Sequence, residues 1–283
     1  MPWKITSDPH EHAAAVLPLL RSDPQRHTLA LTVLESLQDG HAYSAESPLF
    51  AHWTDSRGTV CGAAVHTPPH ELLLSTAPAH SIAPLAEALY EAGHAVGGIH
   101  AARSAAETFA RRHAELTGAA WRTFARHRLY RLRTLLPPEP APTGRARLAT
   151  GADRALLREW LDAFRRTTGQ INADLERDVD RGLRRGAYVL WEDPRSGTAG
   201  PVSMAGRTEP AFGTVRIGPL FTPAEHRRRG YGAAVVAAAS SMALADGAQG
   251  VVLFADLDNP TSNHIYQRLG YAPVEDRLIV HFA

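Results

Sequence analysis

The sequence predicts an α/β protein built of two mixed-sheet domains, and three observations carry that expectation. The chain's 283 residues exceed the roughly 100–200 of one ordinary domain. A proline run, Leu135-Leu136-Pro137-Pro138-Glu139-Pro140-Ala141-Pro142-Thr143-Gly144, interrupts it near the middle. On either side, helical and strand periodicities follow one another in the same order. Prolines remove backbone donors and favour extended chain, so residues 135–144 read as a semi-rigid linker between domains 1–134 and 145–283.

In the first half, helical spacing at His10–Leu20 and Gln25–Leu37 precedes strand-like runs at Leu49–Thr54, Val60–His66 and Glu71–Ser75, with Gly58 turning the first hairpin. A helix at Ile82–Ala92, a strand at Val96–His100, a helix at Ser104–Leu116 and a strand at Trp121–Leu132 complete it. The second half repeats the order. Helices at Ala152–Thr167 and Ile171–Arg184 lead into strands at Ala187–Glu192, Gly200–Arg207 and Val215–Phe221. A long helix Gly230–Ala245, a strand Val251–Ala255, a short helix Pro260–Leu269 and a strand Val274–His281 follow. The matching order, without obvious sequence identity, suggests duplication.

Composition narrows the function. Hydrophobic residues make up 44% and charged residues 21% of the chain, which are globular proportions. A net charge of +1 supplies no global field to hold nucleic acid or an acidic membrane. Cys61 is the only cysteine, so no intrachain disulfide forms and a thiolate metal cluster is not expected. His10-Glu11-His12 and the pair His66 and His70 lack metal-site spacing, so no metal is expected. Arg111-Arg112-His113 and Arg165-Arg166 read as solvated helix faces. No stretch approaches the ~20 apolar residues of a membrane span, and the N-terminus lacks a leader pattern. The expected location is the cytoplasm, and the arginine- and alanine-rich composition hints at a bacterial source.

The informative stretch runs from Val215 to Val236: an apolar strand, a Thr222-Pro223 turn, then Arg227-Arg228-Arg229-Gly230-Tyr231-Gly232 opening a helix. A helix start leaves N–H groups without internal partners and carries partial positive charge, so it can hold phosphate. Gly230 and Gly232 permit close backbone approach, while the three arginines can neutralise a diphosphate. A P-loop would require Gly-Lys-Ser/Thr, and a dinucleotide fingerprint would require a glycine at Val235. Neither is present.

The run instead resembles the Arg/Gln-x-x-Gly-x-Gly/Ala signature of the GNAT acyltransferase superfamily. Further on, Asn259-Pro260-Thr261-Ser262-Asn263-His264-Ile265-Tyr266 through Gly270-Tyr271 is similar to that superfamily's downstream segment. Asn259 suits a helix cap, Pro260 its first position, and Gly270 a left-handed exit. Asn259, Asn263 and Tyr266 share one helix face by spacing, and Ile265 and Leu269 another.

The resemblance implies tandem GNAT-like domains, each a mostly antiparallel twisted sheet flanked by helices, with the signature only in the second. It implies acetyl-CoA, or another short acyl-CoA, as donor to a primary amine by direct attack. Coenzyme contacts would fall on Leu220, Phe221, Thr222, Arg227, Arg228, Arg229, Gly230, Tyr231, Gly232, Ala233, Asn259, Asn263 and Tyr266. The backbone N–H near Leu220 would steady the oxyanion, and Tyr266 would protonate the departing thiolate. The strand holding Leu220 would bulge and splay from its neighbour to take the pantetheine arm.

Many relatives carry a glutamate on that strand. Val215–Phe221 carries none, and Glu192, Glu209, Glu225, Asp256 and Asp258 each read as solvated carboxylates, so no base is assigned. That gap supports a rival reading: an acyl-CoA-binding sensor or interaction module without turnover. The acceptor stays open among a small amine, an antibiotic amine, an amino-sugar conjugate and a protein amine. In the first half the corresponding turn, Thr76-Ala77-Pro78-Ala79-His80-Ser81, has neither paired glycines nor arginines. No coenzyme is expected there, although by resemblance such a repeat can shape an acceptor pocket or build a homodimer surface.

Overall fold

The computed structural model describes residues 3–38, 46–168, 174–197 and 200–283. The chain divides into two compact units, each with its own core. The first comprises the residues up to Leu129 with Ala255–Asn259 and Val274–Ala283; the second comprises Tyr130–Phe254 and Pro260–Pro273. Among the described residues no helix is long and apolar enough to cross a membrane.

The first unit opens with the short strand β1 (Lys4–Thr6) and helices α1 (Pro9–Arg21) and α2 (Thr28–Gln38). Asp8 starts α1 by accepting the backbone N–H groups of His10 and Glu11, a cap that contributes about 1 kcal/mol. Strands β2 (Leu49–Thr54), β3 (Val60–His66) and β4 (Leu72–Thr76) form an antiparallel meander. Helix α3 (Ile82–Glu91), strand β5 (Gly98–Ala102) and helix α4 (Arg103–Thr117) follow. Strand β6 (Trp121–Leu132) leaves this unit at Leu129, and the last strand of the chain, β12 (Tyr271–Phe282), enters it at Val274.

Strand β12 pairs antiparallel with β5, from Arg277 opposite Ala102 to His281 opposite Gly98. Its Leu278 and Val280 join a core of Trp3, Leu72, Ile99 and Phe109. The C-terminal strand therefore belongs to the core of the N-terminal unit. At roughly 1.5–3 kcal/mol per fully buried aliphatic side chain, Leu278 and Val280 make it an integral part of that core.

In the second unit, strand β7 (Arg145–Leu148) pairs with β8 (Tyr188–Glu192), which pairs with β9 (Pro201–Arg207). Strand β10 (Thr214–Phe221) runs antiparallel to β9 and parallel to β11 (Gly250–Asp256). Helix α5 (Arg154–Thr168) follows a capping box of Thr150 and Asp153. With α6 (Leu175–Arg184) it closes over Tyr188, Leu190 and Met204 through Leu157, Trp160, Leu161 and Val179. Helix α7 (Tyr231–Ala245) buries Ala234, Val235, Val236 and Ala239, as expected of an apolar helix packed over a sheet. Helix α8 (Pro260–Arg268) ends at Gly270, φ 92°, and a β-carbon there would stand 1.8 Å from the Thr134 carbonyl oxygen.

Most elements fall within a few residues of their sequence expectation. The helix expected at Ile171–Arg184 begins at Leu175 among the described residues; its first three positions lie outside them. The short strands β1 and β7 were not expected. Residues 135–144 pack within the second unit. The Leu136 N–H donates to the Leu269 carbonyl, Arg268 donates to the Glu139 carbonyl, and the Trp191 indole donates to the Thr143 carbonyl. The proline run is thus a strap fastened at both ends, and with α7 it lines an open groove of about 420 Å³ bordered by Leu136, Pro138, Pro142, Trp191, Ala234 and Ala238.

Candidate functional site

Strands β10 and β11 stay paired from Thr214 opposite Gly250 to Ile217 opposite Leu253. β10 then runs on to Phe221 without further pairs to β11. Between Ile217 and Leu220 its register against β9 shifts. Gly218-Pro219 occupies the shift, and Pro219 has no N–H to give to a ladder. The irregularity frees the end of β10 from β11 and re-aims it into the turn before α7.

That turn is held from within. Ser203 on β9, fully buried, donates to the Phe221 carbonyl at 3.2 Å and shares a hydrogen bond with Thr222 Oγ1 at 2.8 Å. Arg227 Nε donates to the Thr222 carbonyl at 3.0 Å, and Arg229 reaches the Ser196 carbonyl at 3.4 Å. Arg228 adopts φ 60° and Gly230 φ 82°. A left-handed non-glycine residue costs on the order of 1–3 kcal/mol, and such strain collects at ligand sites.

Gly230 caps α7, and no side chain caps the helix there. The first amides of a 15-residue helix therefore face outward with partial positive charge, beside three exposed arginines. Gly232 sits against Thr222 and Leu220: a β-carbon on it would lie 3.6 Å from Thr222 Oγ1 and 3.9 Å from Leu220 Cδ2. Ala233 is half-buried in the same first turn. The arrangement suits a diphosphate at the helix start, with an extended arm along the unpaired end of β10.

Helix α8 supplies the second group. Tyr266 is buried and lies with its ring centroid 6.2 Å from those of Tyr130 and Tyr271. Burial, outweighing a hydrogen bond with Ser262, pushes its phenol up to about 12, so it keeps its proton at neutral pH. Asn263 is turned to Tyr130, accepting its hydroxyl at 2.9 Å. Asn259 falls in the first unit, its N–H donating to the Asp256 carbonyl, and precedes α8 rather than lying on it. The structure thus brings together Leu220, Phe221, Thr222 and Arg227–Ala233 around one turn; Asn263 and Tyr266 stand one turn apart on α8.

The nearby carboxylates are engaged elsewhere. Glu192 pairs with Arg147 at 2.7 Å, Glu209 with Arg185 at 2.6 Å, and Asp258 with Arg126. Glu225 is exposed. Among the described residues, no group of histidine, cysteine and carboxylate side chains could hold a metal ion.

Residues that sequence reasoning missed lie under the turn. They are Ser203, Thr143 and Asp193, together with Trp160, whose ring centroid is 5.7 Å from that of Phe221. Nothing in local sequence ties Asp193 to Tyr231, to which it is bonded 38 positions on.

Comparison with known proteins places this geometry. Residues 154–271 match the model of the acetyltransferase (GNAT) family. No curated protein matches the sequence. The chain is similar in structure to a GCN5-related N-acetyltransferase from Sphaerobacter thermophilus, with a TM-score of 0.65, 17% identity, and coverage of 99% of this chain and 95% of that one. An acetyltransferase of the GNAT family from Colwellia psychrerythraea gives a TM-score of 0.60 at 10% identity over 100% and 99% of the two chains. A tandem GNAT protein from the clavulanic acid biosynthesis pathway gives 0.54 at 14% identity over 99% and 98%. Residues 154–271 therefore resemble the GNAT acetyltransferase family, within a chain whose fold is GNAT-like along its whole length.

Proposed function

We propose that this protein is an N-acetyltransferase that moves an acetyl group from acetyl-CoA to a primary amine by direct attack. The observation that carries the reading is the uncapped, left-handed entry to α7 between Arg227 and Gly232, set at the unpaired end of β10. In this reading the backbone of Arg228 to Ala233 holds the diphosphate, with Arg228 as an additional cation. The ends of β10 at Leu220, Phe221 and Thr222 hold the pantetheine arm. Bound acetyl-CoA supplies an activated thioester. The Leu220 N–H steadies negative charge on the acyl oxygen as the amine adds, and Tyr266, protonated at neutral pH, gives its proton to the thiolate sulfur that departs as the carbon–sulfur bond breaks. Asn263 holds the α8 face in place through Tyr130.

No base is assigned, because Glu192, Glu209 and Asp258 are ion-paired, Glu225 is exposed and Asp193 is held by the hydroxyls of Tyr231 and Thr143; water can relay the amine's proton. The same observation favours a second reading, in which the domain binds acyl-CoA as a sensor without turnover. We further propose that the protein is a bacterial, cytoplasmic homodimer whose acceptor is a small amine, an antibiotic amine, an amino-sugar conjugate or a protein amine.

The test is thiol release. Acetyl-CoA is mixed with the protein and a panel of small amines, aminoglycosides, amino-sugar thiols and peptides, and free coenzyme A is measured. Release that depends on one amine and disappears in a Gly230→Asp variant supports the enzyme. Binding of acetyl-CoA with no release across the panel supports the sensor, and absence of binding removes both.

A further inference from the structure

We infer that Asp193 is a positioning residue for the phosphate-binding turn, an inference that rests on the reading above. Asp193 follows β8 and is buried. Its Oδ2 accepts two hydroxyls: Tyr231 Oη at 2.6 Å and Thr143 Oγ1 at 2.7 Å. Its Oδ1 accepts the Arg195 N–H at 2.8 Å, and its carbonyl accepts the Ser196 N–H at 3.0 Å.

Each partner leads to the turn before α7. Tyr231 is the first residue of α7, immediately after the left-handed Gly230. Ser196 accepts from Arg229. Thr143 follows Pro142, three atoms of which would stand 3.6 Å from a β-carbon on Gly230. One carboxylate therefore fixes the strap, the turn after β8 and the helix start relative to one another. Tyr231 and Thr143 hold that carboxylate below its usual range, so it remains an acceptor-only group throughout the neutral range.

A helix start binds phosphate well only if its amides are already aimed, since a turn that must be ordered on binding loses affinity. Asp193 supplies that aim without touching the ligand. Asparagine cannot accept both hydroxyls and the Arg195 N–H with two lone-pair oxygens, having only one. Hydrogen bonds to charged groups are worth enough that Asp193→Asn should weaken coenzyme A binding about tenfold or more.

The experiment titrates coenzyme A and, by competition, pantetheine, which lacks the diphosphate, into wild type, Asp193→Asn and Tyr231→Phe. The expected result is a Kd for coenzyme A raised about tenfold in both variants, with the pantetheine Kd unchanged. The double variant should lose no more than the worse single one, because both break the same bond. Equal loss for both ligands would show a general structural role and overturn the inference, as would an unchanged Kd for coenzyme A. A wild type that binds neither ligand would overturn it together with the function it rests on, whereas unchanged variants of a binding wild type would overturn the inference alone.

Discussion

Both units contain a parallel strand pair whose ladder stops early, and they treat the opening differently. In the first, β4 and β5 pair only at Leu72 with Ile99 and Leu73 with His100. Just past that point the buried Arg277 guanidinium fills the space. Its Nη2 donates to the Leu74 carbonyl at 2.9 Å and the His100 carbonyl at 3.3 Å, and its Nη1 to Glu275 at 2.7 Å. In the second, β10 leaves β11 after Ile217 and runs into the Arg227–Gly232 turn. Helix α3 of the first unit follows a turn through Ser81 in ordinary right-handed conformation, with no arginine or paired glycine. The same strand arrangement thus serves as a plugged structural joint in one unit and as a candidate ligand site in the other. The difference is local chemistry, not topology.

The two units should separate most clearly in acid. Burial holds His12, His27 and His66 of the first unit at about 4 in the folded state, against ~6.5 when unfolded. The unfolded chain binds protons that the folded chain does not, so stability is complete above pH ~6.5 and is lost as pH falls toward ~4, by at most about 3 kcal/mol for each histidine. In the second unit Asp153, held low chiefly by Arg147, contributes stability above the unfolded carboxylate value and loses it only as pH falls further. Hydrogen exchange resolved along the chain should show the first unit opening at higher pH; opening of the second unit first would break the comparison.

Gly230→Asp places a carboxylate where phosphate is expected, and like-charge contact costs several kcal/mol. Coenzyme A binding should weaken about a hundredfold or more, as read by calorimetry. Arg277→Ala removes this donor from the Leu74 and His100 carbonyls and leaves Glu275 paired with Arg26, a loss of about 2–4 kcal/mol in denaturant melts. Opening that gap should add no second coenzyme site, because the first unit has no phosphate turn. Tyr266→Phe should lower turnover about tenfold or more while coenzyme affinity stays within about twofold, a split seen by measuring kcat and Kd separately. Glu209→Ala removes an exposed ion pair with Arg185 and should shift stability by under about 0.5 kcal/mol, the control against which the others are judged.

The contrast also marks what sequence can carry. Strands such as Leu49–Thr54, Val60–His66 and Trp121–Leu132 were legible to the residue, because alternation of apolar side chains is a local signal. β1 and β7 escaped because three or four residues are too few to establish a period. The entry of β12 into the first unit was not legible, since pairing partners 175 positions apart, such as Arg277 and Ala102, leave no mark on local pattern. The turn from Thr222 to Gly232 was readable as a site because glycines, arginines and a helix start stand next to one another in sequence. Its supports were not: Asp193, Ser203 and Thr143 are ordinary turn and strand residues until the fold places them under that turn. The bond by which Asn263 accepts the Tyr130 hydroxyl was equally invisible, since its partner stands 133 positions away.

The central claim is that one unit binds the coenzyme and the other does not. The most direct measurement is calorimetric titration of the full chain with coenzyme A. The account predicts one site per chain, retained in Arg277→Ala and lost in Gly230→Asp. Two sites per chain, or a single site that survives Gly230→Asp, would contradict it.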